Sequence, residues 1–367
     1  MEFIPSNAEF MAKADWLAGV LEFPDEWMYG LSNMTYAITK PAYDPWTSYL
    51  SSTVSDAATF VAANPNAYMD PLANPIALLY GPLNWFTSAM AQYRHPLADT
   101  LPMVSMAGAL FAIMMYFVGM AVFFVIGKIM GPGRKYRPIG IVHNAFLFSL
   151  SLYMAVNILT SAAASFGYSL WNNEISNSPG GPKNDWRLAK MMWVFYISKL
   201  PEFIDTYLML LKQNYRQVSF LHVYHHGSMV FMEYIVTLCA PGGDGYWSHM
   251  LNSAVHIVMY GYYFGTLTFT NEKGVVRRFL NRFKFMITRG QMMQFVVNCI
   301  QSVYCLYIAD VCKSPRWLFQ MLFWYMTSML VLFGNFLIKN TRKAPTTKGA
   351  SPHNSSGRKD PNSRRER

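Results

Sequence analysis

LAKMMWVFYISKLPEFIDTYLMLLKQNYRQVSFLHVYHHGSMVFMEYIVTLC, residues 188–239, is the stretch on which the fold turns. Two apolar runs, 188–211 and 217–239, flank the polar turn KQNYR. Each has the ~20 mostly apolar residues that a helix needs to cross a bilayer. The stretch therefore reads as a membrane hairpin. Both runs nevertheless carry side chains that lipid should exclude. Lys199, Glu202, Asp205 and Thr206 lie in KLPEFIDT, and His222, His225 and His226 lie in HVYHH. Ionisable groups inside a span are costly and usually functional.

Five more runs of the same kind flank this hairpin, at 102–127, 139–165, 246–270, 290–309 and 317–338. The expectation is an all-α integral membrane protein with seven transmembrane helices. Composition agrees: 53% of the 367 residues are hydrophobic and 14% charged, against about 25% charged in soluble domains. Basic loops alternate with poorly basic ones. Lys128, Arg134, Lys135 and Arg137 follow the first span, Lys212 and Arg216 the third, and Lys273, Arg277, Arg278, Arg282, Lys284 and Arg289 the fifth. By the positive-inside rule the N-terminus is outside or lumenal and the C-terminus cytosolic.

Three regions follow. Residues 1–100, with three basic and ten acidic side chains, read as a loosely ordered lumenal extension with amphipathic stretches near 8–22 and 54–64. Residues 101–338 hold the seven spans. Residues 339–367, with nine basic and two acidic side chains, read as a disordered basic cytosolic tail, attracted to an anionic leaflet. The net charge of +10 includes no basic groove with interleaved aromatics, so no nucleic acid is expected. Cys239, Cys299, Cys305 and Cys312 form no CxxC pair and read as free thiols packed between helices. No signal peptide is legible at Met1, so the first insertion signal is expected to be internal. Asn33-Met-Thr35 is a glycosylation sequon on the lumenal side; Asn354-Ser-Ser356 would be silent in the cytosol.

Spacing groups the polar residues. Lys199, Glu202 and Thr206 stand at i, i+3 and i+7, with Asp205 three beyond Glu202, so one helix face can hold all four. Pro201 is expected to kink that helix. For Lys199 with Glu202, a neutralised pair that only ties helices together is an equally good reading. His222, His225 and His226 share one turn. Asn252, His256, Tyr260 and Tyr263 form a single stripe; for Tyr262 and Tyr263 interhelical packing is favoured. Gln291 and Gln294 open the sixth span, where amides often serve as helix glue. Glu202 precedes Leu211 by nine residues and His225 follows Gln217 by eight. At 1.5 Å per residue both lie roughly 12–14 Å below the cytosolic face. One polar cluster in the cytosolic half is the economical reading.

Three function classes compete. HxxHH is a histidine box of membrane di-iron desaturases and hydroxylases. That site needs several boxes, and the eight histidines here, including His95, His143, His249 and His353, supply no second one; no metal is expected. A seven-span receptor or transporter is the second class, its polar cluster a proton or ion path; a transporter would more often show broken helices in paired halves, and a His-rich face opening to the cytosol suits a receptor poorly. An enzyme acting on a cytosolic head group and a lipid-soluble chain fits best.

Four segments then resemble the ELO-type fatty acid elongase family, in family order. KLPEFIDT is similar to KxxExxDT, HVYHH to HxxHH, NSAVHIVMYGYY (252–263) to NxxxHxxMYxYY, and TRGQMMQF (288–295) to TxxQxxQF. With the seven spans the resemblance covers about 102–338. FLHVYHH, with Gln217 five residues before the box, resembles the branch that handles polyunsaturated chains. The resemblance implies a 3-oxoacyl-CoA synthase of the endoplasmic reticulum membrane. It would condense acyl-CoA with malonyl-CoA in a tunnel between the spans, releasing CO₂ and CoA, with no cofactor. It implies His225 as the nucleophile and His256 as its partner. His222 and His226 would tune His225, and Glu202 and Asp205 would fix histidine tautomers. Lys199, Thr206, Asn252, Tyr260, Gln291 and Gln294 would contact substrate, and cations such as Lys212, Arg216, Arg277 and Arg278 could meet the CoA phosphates. The bilayer and the other elongation-cycle enzymes (ketoacyl reductase, dehydratase and enoyl reductase) are the implied partners, with a homodimer left open. The chain departs from the family in its long N-terminal region and in ending Arg364-Arg365-Glu366-Arg367, where a di-lysine retrieval signal is usual.

Overall fold

A computed structural model describes residues 7–63, 86, 89–166, 170–175, 183–271 and 273–341. Among these the regular structure is entirely helical. Nine long helices follow in order: α1 (Asn7–Val20), α2 (Asp25–Ala63), α3 (Met106–Met130), α4 (Arg137–Phe166), α5 (Lys183–Leu211), α6 (Phe220–Cys239), α7 (Gly245–Thr268), α8 (Val275–Val303) and α9 (Arg316–Thr341). Helices α3 to α9 stand where the seven apolar runs predict them. Three, α3, α4 and α9, are long and apolar enough to cross a membrane by length and composition. The other four are those in which polar residues interrupt the apolar pattern.

Local chemistry sets several boundaries. Ser105 caps α3 by accepting from the Gly108 amide, and Gly131 ends it at φ 71°, a left-handed angle that suits glycine. Ser219 caps α6 through the His222 amide. The C-terminal carbonyls of α7 are satisfied from outside: Arg137 donates to Leu267 and Thr268, and Arg277 to Thr266, where cations also complement the helix dipole. One boundary differs from expectation. The basic stretch 275–289, read as a loop, forms the first turns of α8, because Arg and Lys are good helix formers. Helix α5 continues through Pro201.

Six helices close a ring. Helix α5 packs on α4, α4 on α7, α7 on α8, α8 on α9, α9 on α6, and α6 back on α5. Helix α3 lies outside, across α5 and α6. A Cβ on Gly127 would stand 2.6 Å from the Leu210 carbonyl oxygen, so glycine is what lets α3 approach α5 this closely. Tyr116, Trp193, Phe195 and Tyr246 anchor the main core.

The N-terminal region departs from the loosely ordered extension expected. Helix α2 runs 39 residues through Pro41 and Pro45, and α1 packs against α4. Lys190 of α5, 1% exposed, holds Glu22 at 2.5 Å, Asp25 at 2.7 Å and the Phe23 carbonyl at 3.0 Å. Arg187 holds Glu22 and Asp15, and Met28 is fully buried. The acidic bias of the N-terminal residues, legible in sequence, thus finds its counter-ions on α5. Asn33 is exposed within α2. The tail beyond 341, with Asn354 and His353, lies outside the described residues.

Candidate active site

Inside the ring lies a cavity of about 100 Å³, partly open to the outside. Its wall on α6 is a helical stripe: His225, Met229, Met232, Glu233, Val236, then Ala240 just past the helix. From His225 to Ala240 the rise is about 22 Å. The facing stripe on α7 is Gly245, Ser248, His249 and Asn252. Helices α8 and α9 add Gln294, Phe295, Asn298 and a set of Leu and Met side chains.

The three box histidines have different surroundings. His225 lines the space, and its buried Nδ1 has no hydrogen-bond partner. His222 sits with Nε2 2.8 Å from Thr206 Oγ1, which is 3.0 Å from the Tyr116 hydroxyl. His226 is buried, its ring 4.4 Å from His222 and 5.4 Å from His225. The reason is angular: at 100° per residue His222 and His226 are 40° apart, whereas His225 is rotated 100° from His226. One turn thus presents a single imidazole to the interior and two to the α3–α5 side.

The carboxylates also divide. Glu202 and Lys199 form a buried pair at 2.9 Å, 3% and 2% exposed. His256 brings Nδ1 to 3.6 Å from the same Glu202 oxygen. Asp205 points elsewhere: His143 Nε2 lies 3.0 Å from one oxygen, and the Tyr260 hydroxyl donates to the other at 2.8 Å. Asp205 therefore ties α4, α5 and α7 together without touching the histidine box. Its tautomer-fixing partner is His143, not one of the three box histidines, because it projects from α5 toward α4.

The amides are split as well. Gln294 and Asn252 line the space, and Asn252 Oδ1 is buried without a partner. Gln291 instead donates to the Met259 sulfur at 3.5 Å. Among the cations, Arg277 is committed to capping α7. Arg216 and Arg278 are exposed, and Lys212 is half-buried; burial lowers its amine, against the charge of Asp205. Among the described residues no group of three or more His, Cys, Asp or Glu is arranged to hold a metal ion.

Two features escaped the reading of the sequence. His143 is one; Glu233 and His249 are the other. The signal for the second was present, since Glu233 continues the stripe that starts at His225, and His249 stands seven residues before His256 on the same face.

Residues 101–349 match the family described as "ELO: GNS1/SUR4 family". Over 250 residues the chain is 48% identical to "Fatty acid elongase 6" of Leishmania major, covering 68% of this chain and 64% of that one. It is 36% identical over 227 residues to "Very long chain fatty acid elongase 5" of Xenopus tropicalis, covering 61% and 72%. It is 33% identical over 217 residues to "Very long chain fatty acid elongase 2" of Mus musculus, covering 59% and 70%.

Proposed function

The chain belongs to the ELO family, and from that premise we propose that it is a fatty acid elongase whose ring of helices carries out the condensing step. It joins acyl-CoA to malonyl-CoA and yields 3-oxoacyl-CoA, CO₂ and CoA. Seven helices, α3 to α9, cross the endoplasmic reticulum membrane, with the N-terminus lumenal and the C-terminus cytosolic, and the space within the ring is the acyl tunnel. The observation that carries this reading is His225: an imidazole on the tunnel wall, with Nδ1 buried and unpartnered. An imidazole nitrogen left free at the wall of an otherwise largely apolar space is available to a reacting carbonyl.

The chemistry proceeds in two halves. An imidazole nitrogen of His225 attacks the thioester carbonyl, the C–S bond breaks, and CoA leaves carrying the imidazole proton. Malonyl-CoA then loses CO₂, and the electron pair of the broken C–C bond forms an enolate. The enolate carbon attacks the acyl-imidazole, the C–N bond breaks, and His225 regains a proton from water. Splitting one hard step into two easier ones is the gain of a covalent intermediate.

The neighbours have defined tasks. Glu202 orients His256 toward the malonyl half, and Lys199 neutralises Glu202. Thr206 fixes the His222 tautomer, and His222 and His226 support His225. Asn252 and Gln294 supply amide groups for the thioester region. Asp205 and Tyr260 hold the frame, and Gln291 acts through Met259. CoA phosphates meet the exposed Arg216 and Arg278. FLHVYHH and Gln217 support long polyunsaturated acyl-CoAs as substrates. The reductases and dehydratase of the elongation cycle consume the product.

The test is mass-spectrometric. Purified protein given acyl-CoA alone releases CoA and gains an acyl adduct on the peptide containing His225; malonyl-CoA then discharges it to 3-oxoacyl-CoA. His225→Ala abolishes adduct and product, whereas His256→Ala keeps the adduct and loses the product. An adduct mapped to Cys239, or turnover with no adduct, refutes His225 as nucleophile.

A further inference from the structure

Helix α3 carries none of the four motifs and lies outside the ring, yet it reaches the histidine box. Its Tyr116 is fully buried. Glycines permit the approach: a Cβ on Gly119 would collide with the Tyr207 hydroxyl of α5, as one on Gly127 would with the Leu210 carbonyl. The Tyr116 ring rests on Phe203 with centroids 4.5 Å apart. Its hydroxyl lies 3.0 Å from Thr206 Oγ1, which lies 2.8 Å from His222 Nε2.

Thr206 departs from the other helical threonines. A threonine inside a helix can return its hydroxyl to the carbonyl four residues back. Thr160, Thr268 and Thr327 do so here, at 2.9, 2.9 and 2.8 Å. Thr206, with no exposed surface, does not; among the described residues its hydroxyl meets only Tyr116 and His222. Its proton is therefore shared along this line and nowhere else.

Counting protons fixes the direction. With the His222 proton on Nε2, three protons (Nε2–H, Thr206 O–H and Tyr116 O–H) must fit two contacts. One buried hydroxyl then has no acceptor, which is costly. With the proton on Nδ1, Tyr116 donates to Thr206, Thr206 donates to the Nε2 lone pair, and every proton in the line is accepted.

We propose that Tyr116 is a positioning residue for the condensing step, which acts through Thr206 to hold His222 in the tautomer with its proton on Nδ1. The inference rests on the elongase reading and adds a residue from a helix that sequence spacing left outside the site. Tyr116 touches no substrate. It sets which nitrogen of His222 can donate within the histidine box.

A kinetic double-mutant cycle tests it, with acyl-CoA and malonyl-CoA as substrates. Tyr116→Phe lowers kcat about tenfold, the scale of one buried hydrogen bond, and leaves KM for acyl-CoA unchanged. Adding Tyr116→Phe to Thr206→Val costs nothing further, because the line is already cut. An unchanged kcat in Tyr116→Phe, or losses that multiply in the double variant, overturns the proposal, since a phenol that only packs would act independently of Thr206. If Tyr116→Phe does not elute as a single species in detergent, nitrogen-15 NMR of histidine-labelled wild-type protein decides. The His222 signals, assigned by their loss in His222→Gln, report Nδ1 protonated and Nε2 bare; the opposite tautomer overturns the proposal. The spectrum needs no substrate, so wild-type protein that elongates no acyl-CoA refutes the elongase reading while the tautomer is still read.

Discussion

Lys199→Met separates what holds the bundle together from what performs the chemistry. Lys199 and Glu202 are 2% and 3% exposed and 2.9 Å apart. Glu202 has one further ionic neighbour, His256 Nδ1 at 3.6 Å, beyond good hydrogen-bond length. Removing the lysine therefore leaves a carboxylate buried with little compensation. Breaking such a pair typically costs about 3–5 kcal/mol. At ~2–4 °C per kcal/mol the melting temperature should drop by roughly 6–20 °C. The double variant Lys199→Met/Glu202→Leu removes both charges and should recover most of that stability, because apolar replacement of a buried pair is often neutral or better. Turnover should not recover, since His256 has lost the carboxylate beside it. Thermal unfolding in detergent reads the first quantity and condensation with malonyl-CoA the second. A double variant as unstable as the single one refutes the uncompensated-charge argument. A double variant that is stable and fully active shows that Glu202 is structural only and removes it from the catalytic set.

Three further outcomes are expected. Elongation should withstand metal chelators, and purified protein should carry no stoichiometric iron or zinc by elemental analysis; activity lost on chelation and restored by iron would revive a metal-dependent reading. In sealed microsomes protease should remove a C-terminal tag and spare the segment around Asn33, and protection of the tag would break the seven-span topology. Burial pushes the Glu22 carboxyl up, but hydrogen bonds and charge from Lys190 and Arg187 outweigh it and hold the carboxyl below its usual range. A folded value below the unfolded one adds stability above the unfolded pKa and loses it as pH falls through the folded one. The contact between α1 and α5 should thus loosen below about pH 4.3, read as faster hydrogen exchange in residues 7–28 at acidic pH and unchanged exchange in α7.

The sequence alone determined helices α3 to α9, apart from the basic first turns of α8. Apolar runs of span length are a one-dimensional property, and α3 to α9 fall on them because burying a continuous apolar stretch requires every backbone group to be bonded within its own segment. The four motifs were equally legible, since helical spacing dictates which side chains share a face. Three things depended on tertiary structure. The first was which histidine meets the interior: spacing fixes His222, His225 and His226 relative to one another, but the rotation of α6 within the ring decides that His225 lines the cavity. The second was partnership. Asp205 bonds His143, 62 residues earlier, and Glu22 bonds Lys190, 168 residues later; no local rule reaches across such separations. The third was the Glu233–His249 pair: spacing puts each on a face shared with a motif histidine, but only the packing of α6 against α7 brings the two to 2.7 Å. A side chain's direction is local and set by the helix, whereas what it faces is set by how the helices pack.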